Sequence, residues 1–203
     1  MKNKLIFSIS YIFILMLTQS CKKENEDPSD LNSSYFEFTF GGQEYKMDVV
    51  VLDEDDRSDL ESPYYLIEIA GHNGLSEDYI VPGLNIYLPL DKLDNPVGEY
   101  RVGNYLSSSP LYPGSAAMEI YSNPSYATHG GPVNVQIGSI QIKEFIKGDG
   151  SESYLFKQLS GTFDLDVFEY DQANDVYKTT PIKTKGKFKV QNVISISESL
   201  PIL

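Results

Sequence analysis

The sequence is poor in the residues on which many functions depend. Among 203 residues there is one cysteine, Cys21, no tryptophan, and two histidines, His72 and His129. A single thiol forms no intramolecular disulfide, so the fold must stand on its core alone. The two histidines are isolated and each adjoins a glycine, which reads as exposed loop positions; a zinc site would need ligands converging from elsewhere. Without tryptophan, a flat platform for stacking sugar rings is a less favoured expectation. Basic residues are also scarce, 16 against 29 acidic ones, for a net charge of −13. That balance argues against nucleic acid and anionic surfaces as partners of the protein as a whole. Gly-x-Ser-x-Gly, His-Glu-x-x-His and a glycine-rich phosphate loop are all missing, so no catalytic signature and no cofactor is expected.

What is present starts at the N-terminus. Lys2 and Lys4 precede an apolar run, Leu5 to Leu17, which is followed by Thr18-Gln19-Ser20 and Cys21. A charged end, a short apolar core and a small residue before the cut are the features of an export signal over residues 1–20. The run falls short of the roughly 20 residues that a membrane-spanning helix needs. Leu17-Thr18-Gln19-Ser20-Cys21 resembles a bacterial lipobox, with Thr18 where leucine is usual. An ordinary secreted protein with Cys21 at a conventional cut site is the alternative; the position of the only cysteine favours lipidation. Acylation of Cys21 would make the membrane a partner, each buried methylene contributing about 0.8 kcal/mol. Loss of Lys2 and Lys4 with the signal takes the net charge from −13 to −15.

Residues 21–33 are polar, with one proline and Leu31 as the only aliphatic side chain, and read as a flexible tether. Its reach is at most about 40 Å. Glu24, Glu26 and Asp27 suit either a surface-export signal or a plain solvated spacer.

Residues 34–203 read as a single antiparallel β domain, a sandwich or a barrel. Phe36, Phe38 and Phe40 alternate with Tyr35, Glu37 and Thr39; Gly41-Gly42 then predicts a hairpin into a strand over Glu44–Leu52. Asp53–Glu61 holds six acids in nine residues and reads as a solvated acidic loop. Asp53, Asp55, Asp56 and Asp59 are its calcium candidates, but Arg57 stands at the fifth position and no central glycine follows. Tyr64–Ala70, Leu84–Leu90, Glu99–Val102 and Ala116–Tyr121 are strand candidates, and Gly71-His72-Asn73-Gly74 is a turn. Val133, Val135 and Ile137 are apolar at odd positions and Ile140 and Ile142 at even ones, which predicts a bulge at Gly138-Ser139.

The last hairpin is the clearest element. Leu159, Gly161, Phe163, Leu165 and Val167 share one face. Thr180, Ile182, Thr184, Gly186, Phe188 and Val190 share the matching face of the return strand. Asp164 and Asp166 lie on the other face, with Lys183, Lys185, Lys187 and Lys189. A loop over Gln172–Asp175 would set Asp164 opposite Lys183, in a charge ladder that blocks edge pairing. The spacing of Asp164 and Asp166 is loosely that of paired glycosidase carboxylates. Lysines opposite would keep both ionised, however, leaving no general acid.

The region Gly103–Pro132 is rich in glycine, proline and serine and carries Tyr105, Tyr112, Tyr121 and Tyr126. Loops of this length in a compact domain are often functional, so these tyrosines are the candidate binding surface for a protein or glycan; the alternative is that they fold back over the end of the core.

The lipobox, the acidic tether, the aromatic hairpin, Gly98-Glu99-Tyr100, Gly161-Thr162-Phe163 and Gly186-Lys187-Phe188-Lys189-Val190 together resemble small β-rich Bacteroidota lipoproteins. The resemblance implies an outer-membrane or cell-surface location and a sandwich or barrel, and it carries no activity. The expected function is that of a lipid-anchored, non-catalytic binding module, with an accessory role in a membrane assembly as the alternative and a hydrolase as the third reading. Replacing Cys21 with Ser should move the protein from the membrane fraction to the soluble fraction. Tight attachment that still requires detergent in that variant would contradict lipidation.

Overall fold

Alternation over Tyr35–Phe40 builds the first strand, β1, and buries Phe36, Phe38 and Phe40. Gly41 and Gly42 both adopt left-handed φ, 57° and 83°. A two-residue hairpin requires this, and glycine accepts it without steric cost. The turn closes on Phe40 paired with Gln43. The computed structural model describes residues 34–47, 49–60, 63–73, 80–105, 113–149 and 154–191. The signal, the tether with Cys21, and Tyr112 lie outside the described residues.

The described chain is all-β and barrel-like. Its strands are β1, β2 (Gln43–Lys46), β3 (Val49–Arg57), β4 (Tyr64–His72), β5 (Val81–Leu88), β6 (Gly98–Gly103), β7 (Ser115–Tyr121), β8 (Tyr126–Ala127), β9 (Gln136–Lys147), β10 (Phe156–Asp171) and β11 (Val176–Gln191). They follow the order β2-β1-β11-β10-β9-β6-β7-β5-β4-β3, with β8 joining β7 to β10. Neighbouring strands are antiparallel except β6 and β7, which run parallel through Arg101–Ser115 and Val102–Ala116. The inward residues of every long strand meet in one core that includes Phe36, Ile67, Ile86, Met118, Ile142, Phe156 and Phe188.

Four sequence expectations are corrected. The strand expected over Glu44–Leu52 breaks after Lys46. Met47 turns inward, its N–H donating to Phe36 O at 2.9 Å, and β3 then pairs with β4 instead of β1. The acidic segment is not a loop up to Arg57: Asp53–Arg57 belong to β3 and pair with Tyr64–Glu68. Tertiary pairing overrides the low strand propensity of aspartate here. His72 lies in β4 opposite Val49, not in a turn. Val133 and Val135 are exposed. The change of phase falls at Ile137, left without a partner between the pairs Val102–Gly138 and Gly103–Gln136, one residue before the expected place.

The acidic segment also closes one end of the fold. Glu54 reaches from β3 to the start of β10, a strand that is not its neighbour. Its carboxylate accepts from the N–H groups of Leu155 (2.7 Å) and Phe156 (3.0 Å) and from the Tyr65 hydroxyl (2.7 Å). Hydrogen bonds to an ionised acceptor are roughly twice as strong as neutral ones. This side chain therefore joins strands that share no backbone ladder. Burial and Glu54 both push the Tyr65 phenol above its ordinary pKa, which keeps it a donor.

The final hairpin closes on Asp171 and Val176 as expected, but its register does not persist. Tyr170 pairs with Tyr177, while Phe168 pairs with Pro181. One β10 residue thus faces three on β11, and every later pair is displaced by two. Pro181 has no N–H to offer a ladder, and along its other edge β10 pairs with β8, through Phe168–Ala127 and Tyr170 N–H to Ser125 O (2.8 Å). A displacement of two keeps each inward face inward. Thr180 alone of the expected inward set is exposed, because it lies within the bulge.

The displacement creates two reciprocal pairs, Phe163 opposite Gly186 and Gly161 opposite Phe188. A Cβ on Gly186 would stand 2.3 Å from Glu37 O and 2.6 Å from the Phe163 ring; one on Gly161 would stand 2.3 Å from Gln141 O and 2.7 Å from the Phe188 ring. Backbone oxygens in a sheet do not yield as a flexible side chain does. Gly186→Ala should therefore destabilise the protein by about 1–3 kcal/mol, the cost of overpacking, as read from urea unfolding. A change below about 0.5 kcal/mol, the range of a neutral surface substitution, would mean that the strands are not held at this distance.

Candidate functional site

Two rows of outward side chains cross five adjacent strands on the reverse side of these glycine and phenylalanine pairs. Cross-strand partners point to the same face, so register alone assembles the rows. One row runs Lys46, Glu37, Lys187, Thr162, Gln141; the other runs Glu44, Thr39, Lys185, Asp164, Ser139. With Tyr45, Phe38, Gly186 and Phe163 from the row between them, they line a depression of about 890 Å³, within the usual size of ligand sites, roughly 300–1,000 Å³.

The lining alternates in sign. Glu37 is shared between Lys46 (3.5 Å) and Lys187 (3.1 Å). Lys183 bonds Asp164 (2.8 Å) and lies 3.7 Å from Asp166. The hydrogen bond to Asp164, helped by the charge of Asp166, holds the Lys183 ammonium above the ordinary lysine range. These pairs are exposed and contribute about 0–1 kcal/mol each; their effect is to fix which charges are satisfied. The Lys187 ammonium also sits 5.4 Å over the Tyr35 ring. Tyr45 stacks on Phe38 at 5.2 Å and donates to Gln43 Oε1. Charged, hydroxyl and amide groups held on strands suit recognition of a polar ligand.

The lysine ladder was legible in the sequence, but its role as an edge guard is corrected, because β11 lies between β1 and β10 and is not an edge. Asp164 faces Lys185, not Lys183, although Lys183 still reaches it diagonally. The groove itself was missed. Its residues come from four separated segments, and only the register of β1 against β11 and of β10 against β9 brings them together.

Tyr105, Tyr121 and Tyr126, the described tyrosines of the expected binding loops, do not form one surface. Tyr105 is 9% exposed and its ring packs against Gly103. Tyr126 pairs with Ile120 on the inner face and packs edge-on to Phe40 at 4.7 Å. Tyr121 points the other way and is 54% exposed, its hydroxyl bound to Glu119. That bond, with burial, pushes the Tyr121 phenol up to about 12. The calcium candidates diverge as well. Strand alternation sets Asp53 and Asp55 on one face of β3 and Asp56 on the other, while Asp59 lies in the following turn. Asp55 pairs with Arg57 at 2.5 Å, and Asp53 and Asp56 accept from the N–H groups of Glu54 and Ser58. Among the described residues no group of three or more acidic, histidine or cysteine side chains is arranged to hold a metal.

A second constellation escaped the sequence reading, because nothing in the spacing of Glu119, His129 and Tyr177 joins them. His129 Nδ1 lies 3.6 Å from Glu119 and its Nε2 lies 2.6 Å from the Tyr177 hydroxyl. The order of carboxylate, imidazole and hydroxyl is that of a nucleophile relay. The Tyr177 phenol is nevertheless pushed up, by burial and then by Glu119, whereas an activated nucleophile needs its pKa lowered. The trio therefore ties the 3-10 turn at Thr128–Gly130 to β7 and β11. No protein-family model matches this chain, and neither a curated protein nor a solved structure shows significant similarity to it.

Proposed function

We propose that this protein is a lipid-anchored, non-catalytic binding module of the cell envelope, held at the outer membrane through acylated Cys21. Its ligand seat is the groove across β2, β1, β11, β10 and β9, in place of the loops of residues 103–132. The observation that carries this reading is the lining: carboxylates, ammonium groups, hydroxyls and an amide converge on one depression of about 890 Å³ and are set by strand register. A site built on strands is preorganised, and little ordering cost is charged against binding.

Thr162 lies near the middle of the groove and points outward between Lys187 and Gln141. In Thr162→Trp, an indole would fill the depression without entering the core. Calorimetric titration against a panel of oligosaccharides and peptides should show at least tenfold weaker binding for Thr162→Trp, with Tyr121→Ala changed by less than about twofold; tenfold corresponds to about 1.4 kcal/mol. Undiminished binding by Thr162→Trp, with loss in Tyr121→Ala, would return the site to the loops.

A further inference from the structure

Lysines are concentrated on one face of a chain that is strongly acidic overall. Lys46, Lys183, Lys185, Lys187 and Lys189 all point outward from β2 and β11, while the whole chain carries −13. Their carboxylate partners are not evenly distributed. Lys46 and Lys187 share Glu37, and Lys183 takes Asp164 and Asp166. Lys185, in the middle of the groove, is left over. Its backbone carbonyl accepts from Thr39, but its ammonium makes no hydrogen bond or ion pair among the described residues. The cause is the bulge near Pro181: the two-residue displacement sets Lys183 between both aspartates and moves Lys185 to a position whose facing carboxylate is already engaged.

We infer that Lys185 is the anchor for the carboxylate of a uronic-acid-containing oligosaccharide, an inference that rests on the groove being the ligand seat. The charge distribution selects this chemistry. A free ammonium in the centre of the depression calls for one anionic group. The net charge of the chain repels a dense polyanion such as a nucleic acid or a heavily sulfated chain, so the ligand carries its charges sparsely. The uncharged polar part of the lining suits hydroxyls. Thr39, Thr162, Ser139 and Gln141 both donate and accept, and Glu44, whose carboxylate is also unengaged among the described residues, lies two strands from Lys185, about 10 Å at the backbone. A carboxylate that is free to accept suits sugar hydroxyls. A chain in which uronates alternate with neutral sugars presents both groups. Recognition here proceeds through charge and hydrogen bonds and needs no tryptophan platform.

The test uses the mature chain with hyaluronan and unsulfated chondroitin octasaccharides, each beside its carboxyl-reduced counterpart, which keeps the sugar chain and removes the charge. The expected result is binding of at least one acidic form, weakened tenfold or more by carboxyl reduction and equally by Lys185→Gln. Lys185→Arg should retain it, and Lys185→Gln should cause no further loss with the reduced ligand. Raising the salt concentration should weaken only the acidic form. Equal binding of acidic and reduced forms, both lost in Thr162→Trp, would overturn the uronate inference while leaving the groove as the site. A preference for the acidic form that survives Lys185→Gln would overturn the role of Lys185. Failure of both acidic octasaccharides to bind the intact protein would overturn the inference outright, and the peptides and neutral sugars of the wider panel would then decide separately whether the groove binds anything.

Discussion

The fold depends on how closely β10 and β11 approach their neighbours where glycine faces phenylalanine. Phe163 lies over Gly186, and Phe188 over Gly161. Each ring occupies the space a Cβ would have taken, so two large side chains enter the core at adjacent levels without forcing the strands apart. Phe36 and Phe38 pack on the same level from β1; Phe36 lies 5.6 Å from Phe163 and 5.7 Å from Phe38. The register that makes this packing possible also decides which outward residues face one another. Core and groove are two faces of one constraint, because a slip of one residue would exchange them.

The bulge between Tyr170 and Phe168 shows how a local irregularity acquires a chemical consequence. The bulge falls beside Pro181 on one edge of β10, while β8 pairs with the other edge at Phe168 and Glu169. The cost is three β11 residues left outside regular pairing. In return the pairing moves by two, Lys183 reaches two aspartates, and Lys185 is left uncompensated. At the opposite end of β10, Glu54 provides what backbone pairing does not, joining β3 to Leu155 and Phe156. Both features use polar groups to finish a sheet that hydrophobic alternation alone would leave open.

Much of this was legible in the sequence, for a definable reason. Alternation of apolar and polar residues gave β1, the inward face of β10 and most of β11, and the double glycine gave the first turn, because these signals are local. The acidic segment misled. Six carboxylates in nine residues look like solvent-facing loop, yet Glu54 is drawn inward by donors that lie about a hundred positions later in the chain. The tyrosines of residues 103–132 misled in the same way, since composition does not say that Tyr126 shares a face with Ile120 or that Tyr105 is buried. The groove was beyond sequence reading: the lysines and aspartates were visible, but their pairing hung on a bulge between Tyr170 and Phe168 that no local pattern announces.

The central claim is that the ligand seat is made of strands whose register places it, and amide chemical-shift mapping tests it most directly. An isotope-labelled mature chain titrated with a bound oligosaccharide should show its largest shifts in residues 37–46, 139–141, 162–164 and 185–187, all saturating with one affinity, while residues 113–132 remain unperturbed. Shifts centred on residues 113–132, with the four strand segments unchanged, would contradict the account.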